Sequence, residues 1–209
     1  MTKVPRRNLP GTKRDDIGNW PILYITDLEG AFAQQEYIQM HIAKDMTNLD
    51  KICKLPERQD KAVWVFEHIR QFLIELNALV VFLTPVCTID TCPKMSASKW
   101  EFLCAAHRQP KECCAIDYIT HTLNGFTALI NNSDTFPSRI RIPKSSCKYF
   151  GSIVRRLYRL FAHTYFHHRR IFDDFENQTY LCSRFVKFVS IFKLMARKSL
   201  IIPISDLNL

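Results

Sequence analysis

Two cysteines and three histidines stand at spacings that could hold a metal ion. Cys87-Thr-Ile-Asp-Thr-Cys92 is a C-x4-C pair, and the string FAHTYFHHRR far downstream supplies His163, His167 and His168. Two thiolates and two imidazoles make a four-coordinate tetrahedral set suited to zinc, which has no redox chemistry and accepts mixed sulfur and nitrogen ligands. Four protein ligands leave no position open for a substrate, so such a site would be structural. It would pin the helix carrying the histidines to the loop carrying the cysteines. The bland alternative is two core cysteines and three surface histidines. Spacing leaves the second histidine open. On an ideal helix, at about 100° per residue, His167 lies about 40° from His163 and His168 about 140° away, so periodicity favours His167. Cys104, His107, Cys113 and Cys114 form a second group. Adjacent residues such as Cys113 and Cys114 chelate one tetrahedral ion poorly, because successive side chains diverge, and this group reads mostly as core.

A third group is basic. Arg155, Arg156 and Arg159 stand in the string IVRRLYRLFAH. At helical spacing they fall within an arc of about 100°, with Ile153, Leu157, Leu160 and Phe161 on the other side. Arginine offers a planar fork of donors suited to bidentate contact with phosphate. Three guanidiniums on one spot fit a single phosphoryl group better than a long nucleic-acid backbone, although most charge runs are merely solvated faces. No G-x-S-x-G, glycine-rich phosphate loop or H-E-x-x-H occurs. The closed ligand set argues against a catalytic metal, so the chain reads as no enzyme.

The elements that must position these groups are helical. The 209 residues suit one domain with a short tail, and only five are glycine. Helices are predicted over roughly 30–45, 61–83, 115–131, 146–172 and 179–195. The strongest is 61–83, where Ala62, Phe66, Ile69, Leu73, Leu76 and Val80 recur at spacings of four and three, and Pro85 ends it. Residues 86–115 lose the periodicity; Trp100, Phe102 and Cys104 alternate and Gln109-Pro110 could turn the chain, giving a short hairpin. Residues 1–25 read as a basic extended tail and 26–205 as a single domain. The fold class is therefore mostly α, a bundle with one irregular Cys-rich insertion. There is no signal-peptide pattern and no run of about 20 apolar residues, which predicts a cytoplasmic or nuclear protein without a membrane span. The net charge of +9 allows nucleic acid, membrane surface or phosphorylated partners.

Taken in order, the strings RRNLPGTK (6–13), NWP (19–21), EHIRQF (67–72), IELN (74–77), CTIDTC (87–92), WEFLCAAH (100–107), PKEC (110–113), AIDY (115–118), HTLNG (121–125) and FPSR (136–139), then the run from Arg155 to Asn177, resemble the Mob (Mps-one-binder) kinase-adaptor family, in particular its phocein branch. The resemblance implies a Mob-like helical bundle with a small β-hairpin and one structural zinc. It assigns the zinc to Cys87, Cys92, His163 and His168, against the ideal-helix choice of His167. It implies no enzymatic activity and binding to kinases and scaffold proteins. Arg155, Arg156 and Arg159 match the basic residues with which the NDR/LATS co-activators of the family bind phosphothreonine peptides. Those co-activators also carry acidic residues just before the tryptophan that opens the long helix. Here Gln59 and Val63 stand there, before Trp64, with Lys61 between, and Lys61 would repel a basic kinase segment. The better expectation is an adaptor in a striatin-type phosphatase–kinase assembly (STRIPAK), with a striatin-type scaffold, protein phosphatase 2A, germinal-centre kinases and a phosphorylated peptide as partners. It would be cytoplasmic, peripheral to Golgi or other endomembranes. The alternatives are an NDR/LATS-type co-activator and a nucleic-acid-binding zinc protein; the latter's affinity would fall steeply with salt.

Overall fold

The structure, a computed structural model, describes residues 10–17 and 21–209. The rest of the extended tail predicted for 1–25, namely 1–9 and 18–20, lies outside the described residues. Among the described residues the chain forms eight α-helices and one two-stranded sheet.

The axis is α3 (Lys61–Leu83). Asp60 starts it: its carboxylate accepts from the backbone N–H groups of Ala62 (2.8 Å) and Val63 (3.0 Å), satisfying donors that have no partner inside the helix. Its apolar positions run nearly all round, and Trp64, Phe66, Ile69, Phe72, Leu76 and Leu83 are fully buried. A helix apolar on most sides must be covered on most sides. The cover comes from α1 (Ala33–Lys44), α4 (Ala115–Ile130), α6 (Phe150–His167) and α8 (Leu181–Ile191), with α2 (Leu49–Cys53) wedged between α1 and α8. Each presents one stripe: Tyr118, Ile119, Leu123, Phe126 and Ile130 on α4, and Ile153, Leu157, Leu160 and Phe161 on α6.

Two departures from the predicted elements shape the site. The helix expected over 146–172 is three: α5 (Lys144–Cys147), α6, and α7 (Arg169–Thr179). His168 separates the last two with φ −134° and ψ 49°, outside helical values. The helix expected over 179–195 is the shorter α8, which follows Tyr180 at φ 51°. Its opening N–H groups are met by the buried Glu176 carboxylate, which accepts from Cys182 N (2.7 Å) and Ser183 N (2.8 Å).

The insertion holds β1 (Ser96–Ala97) and β2 (Trp100–Glu101), antiparallel with Ser96 opposite Glu101. The strands turn at Ser98, whose φ is 52°. The predicted turn at Gln109-Pro110 belongs instead to a second, separate loop, which Cys104 and Lys111 close with two backbone hydrogen bonds of 2.7 and 3.2 Å. At the edges, Leu23 and Ile25 lie against the core, and Leu207, past the expected domain end at 205, is buried in it.

One core group makes stability depend on pH. His68 is 1% exposed, packed between Trp64 (ring centroids 4.7 Å apart) and Phe188 (4.6 Å). Burial, and secondarily the charge of Arg184, pushes its pKa well below 6.5. The folded chain therefore keeps the ring neutral while the unfolded chain takes up a proton. The stabilisation is present in full above 6.5 and is lost as pH falls from 6.5 toward the depressed folded value. Between pH ~7 and ~5.5 wild type should lose about 1 kcal/mol more stability than His68→Gln, read from urea midpoints. Equal losses would show that this ring does not govern acid sensitivity.

Candidate metal centre and basic face

The end of α3 builds the first half of the metal centre. Cys87 N donates to Leu83 O (2.8 Å) and Cys92 N to Thr88 O (2.8 Å), while the Thr91 hydroxyl donates back to Val86 O (2.7 Å). These local bonds fold CTIDTC into a tight loop. Ala115 N donates to Cys92 O (2.9 Å), which fastens that loop to the start of α4.

The second half comes from the end of α6. His163 Nε2 lies 3.4 Å from Cys87 Sγ, and His168 Nε2 lies 3.4 Å from Cys92 Sγ. All four ligand atoms lie within 4.8 Å of one another. Tetrahedral zinc with two sulfurs and two nitrogens would place them about 3.3–3.8 Å apart. The His163 ring is fixed by its other nitrogen, Nδ1, which sits 2.8 Å from Ser96 O; this is the outer-shell contact that orients a ligating imidazole. Burial is the main cause of two shifts here. It pushes the His163 pKa down to about 4, so the ring is neutral and its lone pair free. It pushes the Cys87 thiol up to about 12, with neighbouring Cys92 adding to the effect. A buried thiol held that high becomes a thiolate only beside a cation, so the donor set fits a structural zinc.

The periodicity argument for His167 fails for a local reason. α6 ends at His167, and the non-helical turn at His168 replaces the ideal offset of about 140°. His167 instead stacks on His163 (4.7 Å between rings, 25° between planes) and lies 3.0 Å from the Ser96 hydroxyl.

The second sequence group also converges, but with a changed member. Cys104, His107 and Cys113 meet His121 of α4, while Cys114 takes the N-cap position of that helix and stands apart. His121 went unnoticed because it lies within a helical pattern. The signal that could have found it is the spacing C-x2-H followed by C-x7-H.

The arginines divide. Arg155 and Arg159, four apart on α6, line one groove of about 420 Å³ with Trp100, Phe102 and Lys198. Arg156, about 100° round the helix, lines the neighbouring groove with Tyr118, His121 and Phe126. Arg159 is held from two sides: its guanidinium lies 4.3 Å over the Phe102 ring and donates to the Tyr118 hydroxyl (2.6 Å). Among the described residues none of the three has a carboxylate within 4.0 Å. On the opposite question, Val63 is buried, and the Gln59 side-chain oxygen accepts from Gln34 (3.0 Å). The Asp60 carboxylate between them is committed to the start of α3.

A sequence model described as the Mob1/phocein family matches residues 40–203. The chain is 51% identical over 203 residues to MOB kinase activator-like 4 of Drosophila melanogaster, covering 97% of this chain and 91% of that one. It is 48% identical over 203 residues to MOB-like protein phocein of Caenorhabditis elegans, with the same coverage. To maintenance of ploidy protein mob1 of Schizosaccharomyces pombe it is 30% identical over 148 residues, 68% of this chain and 70% of that one.

Proposed function

The chain belongs to the Mob1/phocein family, and we propose that it is a non-catalytic adaptor whose basic groove receives a phosphorylated peptide within a striatin-type phosphatase–kinase assembly. The observation that carries this reading is the unneutralised pair Arg155 and Arg159 in a groove walled by Trp100 and Phe102. A guanidinium already aimed by an aromatic face and a hydroxyl loses little freedom when a phosphate arrives. Cys87, Cys92, His163 and His168 hold a structural zinc, which fastens the end of α6 to the loop after α3. The ion does no chemistry on a substrate; it keeps the helix that bears the arginines in place.

The choice of assembly rests on two supports. Identity is about 50% to the relatives named phocein and MOB kinase activator-like 4 and 30% to mob1. At the two positions that match the co-activators' acidic residues, Gln59 and the buried Val63 carry no charge, and Lys61 between them is positive. In this reading a striatin-type scaffold is the partner that brings protein phosphatase 2A and germinal-centre kinases. The protein works in the cytoplasm, peripheral to Golgi or other endomembranes. Among the described residues no helix is long and apolar enough to cross a membrane.

Affinity purification of the tagged chain, followed by mass spectrometry, tests the assembly. Scaffold, phosphatase and germinal-centre kinase subunits are expected together; NDR/LATS kinases in their place would contradict the reading. Isolated regulatory segments of NDR/LATS-type kinases should bind more weakly than about 1 μM in calorimetry at physiological salt, that is by less than about 8 kcal/mol. Submicromolar binding would restore the co-activator reading. Nucleic acid should bind only at low salt, with the steep dependence of a purely electrostatic contact.

A further inference from the structure

We propose that Cys104, His107, Cys113 and His121 hold a second structural zinc ion, separate from the centre at the end of α6. The four ligand atoms all lie within 4.8 Å of one another. His107 Nε2 is 3.0 Å from Cys113 Sγ, His121 Nδ1 is 3.6 Å from Cys104 Sγ, and Cys113 Sγ is also 4.0 Å from His121 Nδ1. The two imidazoles stand nearly perpendicular, 86° apart, with centroids 5.1 Å apart. Thiol-to-imidazole hydrogen bonds alone would produce two separate pairs, because each S–H serves one acceptor. Here the pairs converge on one point instead, with sulfur–nitrogen separations of 3.0, 3.6 and 4.0 Å that bracket those of a tetrahedral ion. Two thiolates and two imidazoles select zinc over magnesium or calcium and leave no open position.

The surrounding chain needs such a tie. Between Trp100 and Cys113 the segment has little core of its own: Trp100 is 54% and Leu103 55% exposed, and Ala105, Ala106 and Arg108 lie at the surface. Beyond the pairing of β2 with β1, its backbone is held by the two bonds between Cys104 and Lys111 and by two bonds to Met95. An irregular segment with so little burial is what a metal clamp stabilises, since binding free energy is then folding free energy. The ion would fix the 104–113 loop to α4 through His121. Three of its four ligands are only half-buried, whereas three of the four at the first centre are buried. The second ion should therefore leave first when a chelator is added.

The site also bears on the basic groove. Phe102, two residues before Cys104, lies under Arg159, and Tyr118, three residues before His121, accepts from it. Loss of the second ion should loosen both supports of that guanidinium. This consequence rests on the phosphopeptide reading, while the metal count does not.

Native mass spectrometry of the full chain, purified without chelator, should show two zinc ions per chain. Cys113→Ser and His121→Ala should each show one. A wild type with one zinc, retained in Cys113→Ser and lost in Cys92→Ser, would overturn the second site and leave the first intact. One zinc lost in Cys113→Ser and retained in Cys92→Ser would support the second site and overturn the first. Two zinc ions persisting in Cys113→Ser/His121→Ala would also overturn the proposal. Should the variants aggregate, cobalt titration of metal-stripped wild type decides: thiolate-to-cobalt absorbance should saturate at two equivalents, and saturation at one contradicts the site.

Discussion

Replacing Cys87 with serine or His163 with alanine is expected to cost the chain several kcal/mol of stability, about 10 °C or more in Tm, together with the zinc proposed for that site. The size of the effect follows from what the site joins. Cys87 and Cys92 lie at the end of α3, the axis of the bundle, and His163 and His168 lie at the junction of α6 and α7, 76 residues downstream in each contact pair. Without an ion, two thiols and two imidazoles are left packed in a core where Cys87 and His163 are fully buried. Unpaired polar groups in such surroundings each cost roughly 1–3 kcal/mol. The apolar core around α3 does not depend on the ion, so the variants should keep much of their helix while melting early. Circular dichroism melts with and without a strong chelator measure this. The chelator should bring wild type down to the variants and leave the variants where they are. His167→Ala is the discriminating control. It should retain the zinc and move Tm little, because His167 contacts Ser96 and stacks on the ligand without belonging to the four. Melts unaltered by Cys87→Ser would remove the structural role.

Arg159→Ala is expected to weaken binding of a phosphopeptide by about 10- to 100-fold, the effect of losing one charge-assisted hydrogen bond worth roughly 1.5–3 kcal/mol. Arg155→Ala should act in the same direction, since both side chains line one groove. Arg156→Ala should do less, because Arg156 faces the adjoining groove and lies 5.8 Å over Phe126. Arg159→Lys keeps the charge but loses the fork and its face-on contact with Phe102, so a partial loss of several-fold is expected. Thermal stability of the Arg155 and Arg156 variants should stay close to wild type, because no carboxylate among the described residues is left without its partner, whereas Arg159→Ala also removes the donor to the Tyr118 hydroxyl and should cost about 1 kcal/mol. A loss in Arg159→Ala that tracks a larger fall in Tm would instead mark Arg159 as a structural tie to Tyr118.

What the sequence made legible follows from how far each signal reaches along the chain. The bounds of α3 could be predicted because a capping aspartate, an unbroken apolar rhythm and a proline after its end all agree. The stripe of α4 was equally plain. The short α2 and α5 carry too few residues for periodicity to show. The break at His168 has no proline or glycine to announce it, and HHRR continues a helical pattern. What accompanies it is tertiary: the ring lies 3.4 Å from Cys92 Sγ. For the same reason an ideal helix selected His167, whereas the resemblance to the Mob family named the histidine that the structure brings to the cysteines. His121 was hidden for the opposite reason, since it sits undisturbed in a regular helix and only the fold brings the 104–113 loop to it. The arginines were legible as a helix face. That two of them share one groove while the third turns to the next depends on where Phe102, Trp100 and Phe126 pack, which spacing does not report.

The most direct test of the adaptor account is a phosphopeptide array probed with wild type and with the triple variant Arg155→Ala/Arg156→Ala/Arg159→Ala, each peptide present with and without its phosphate. The account predicts a defined set of phosphothreonine or phosphoserine peptides bound by wild type, lost without the phosphate and lost in the folded triple variant. Identical binding profiles for wild type and triple variant would contradict it and leave these arginines a solvated face.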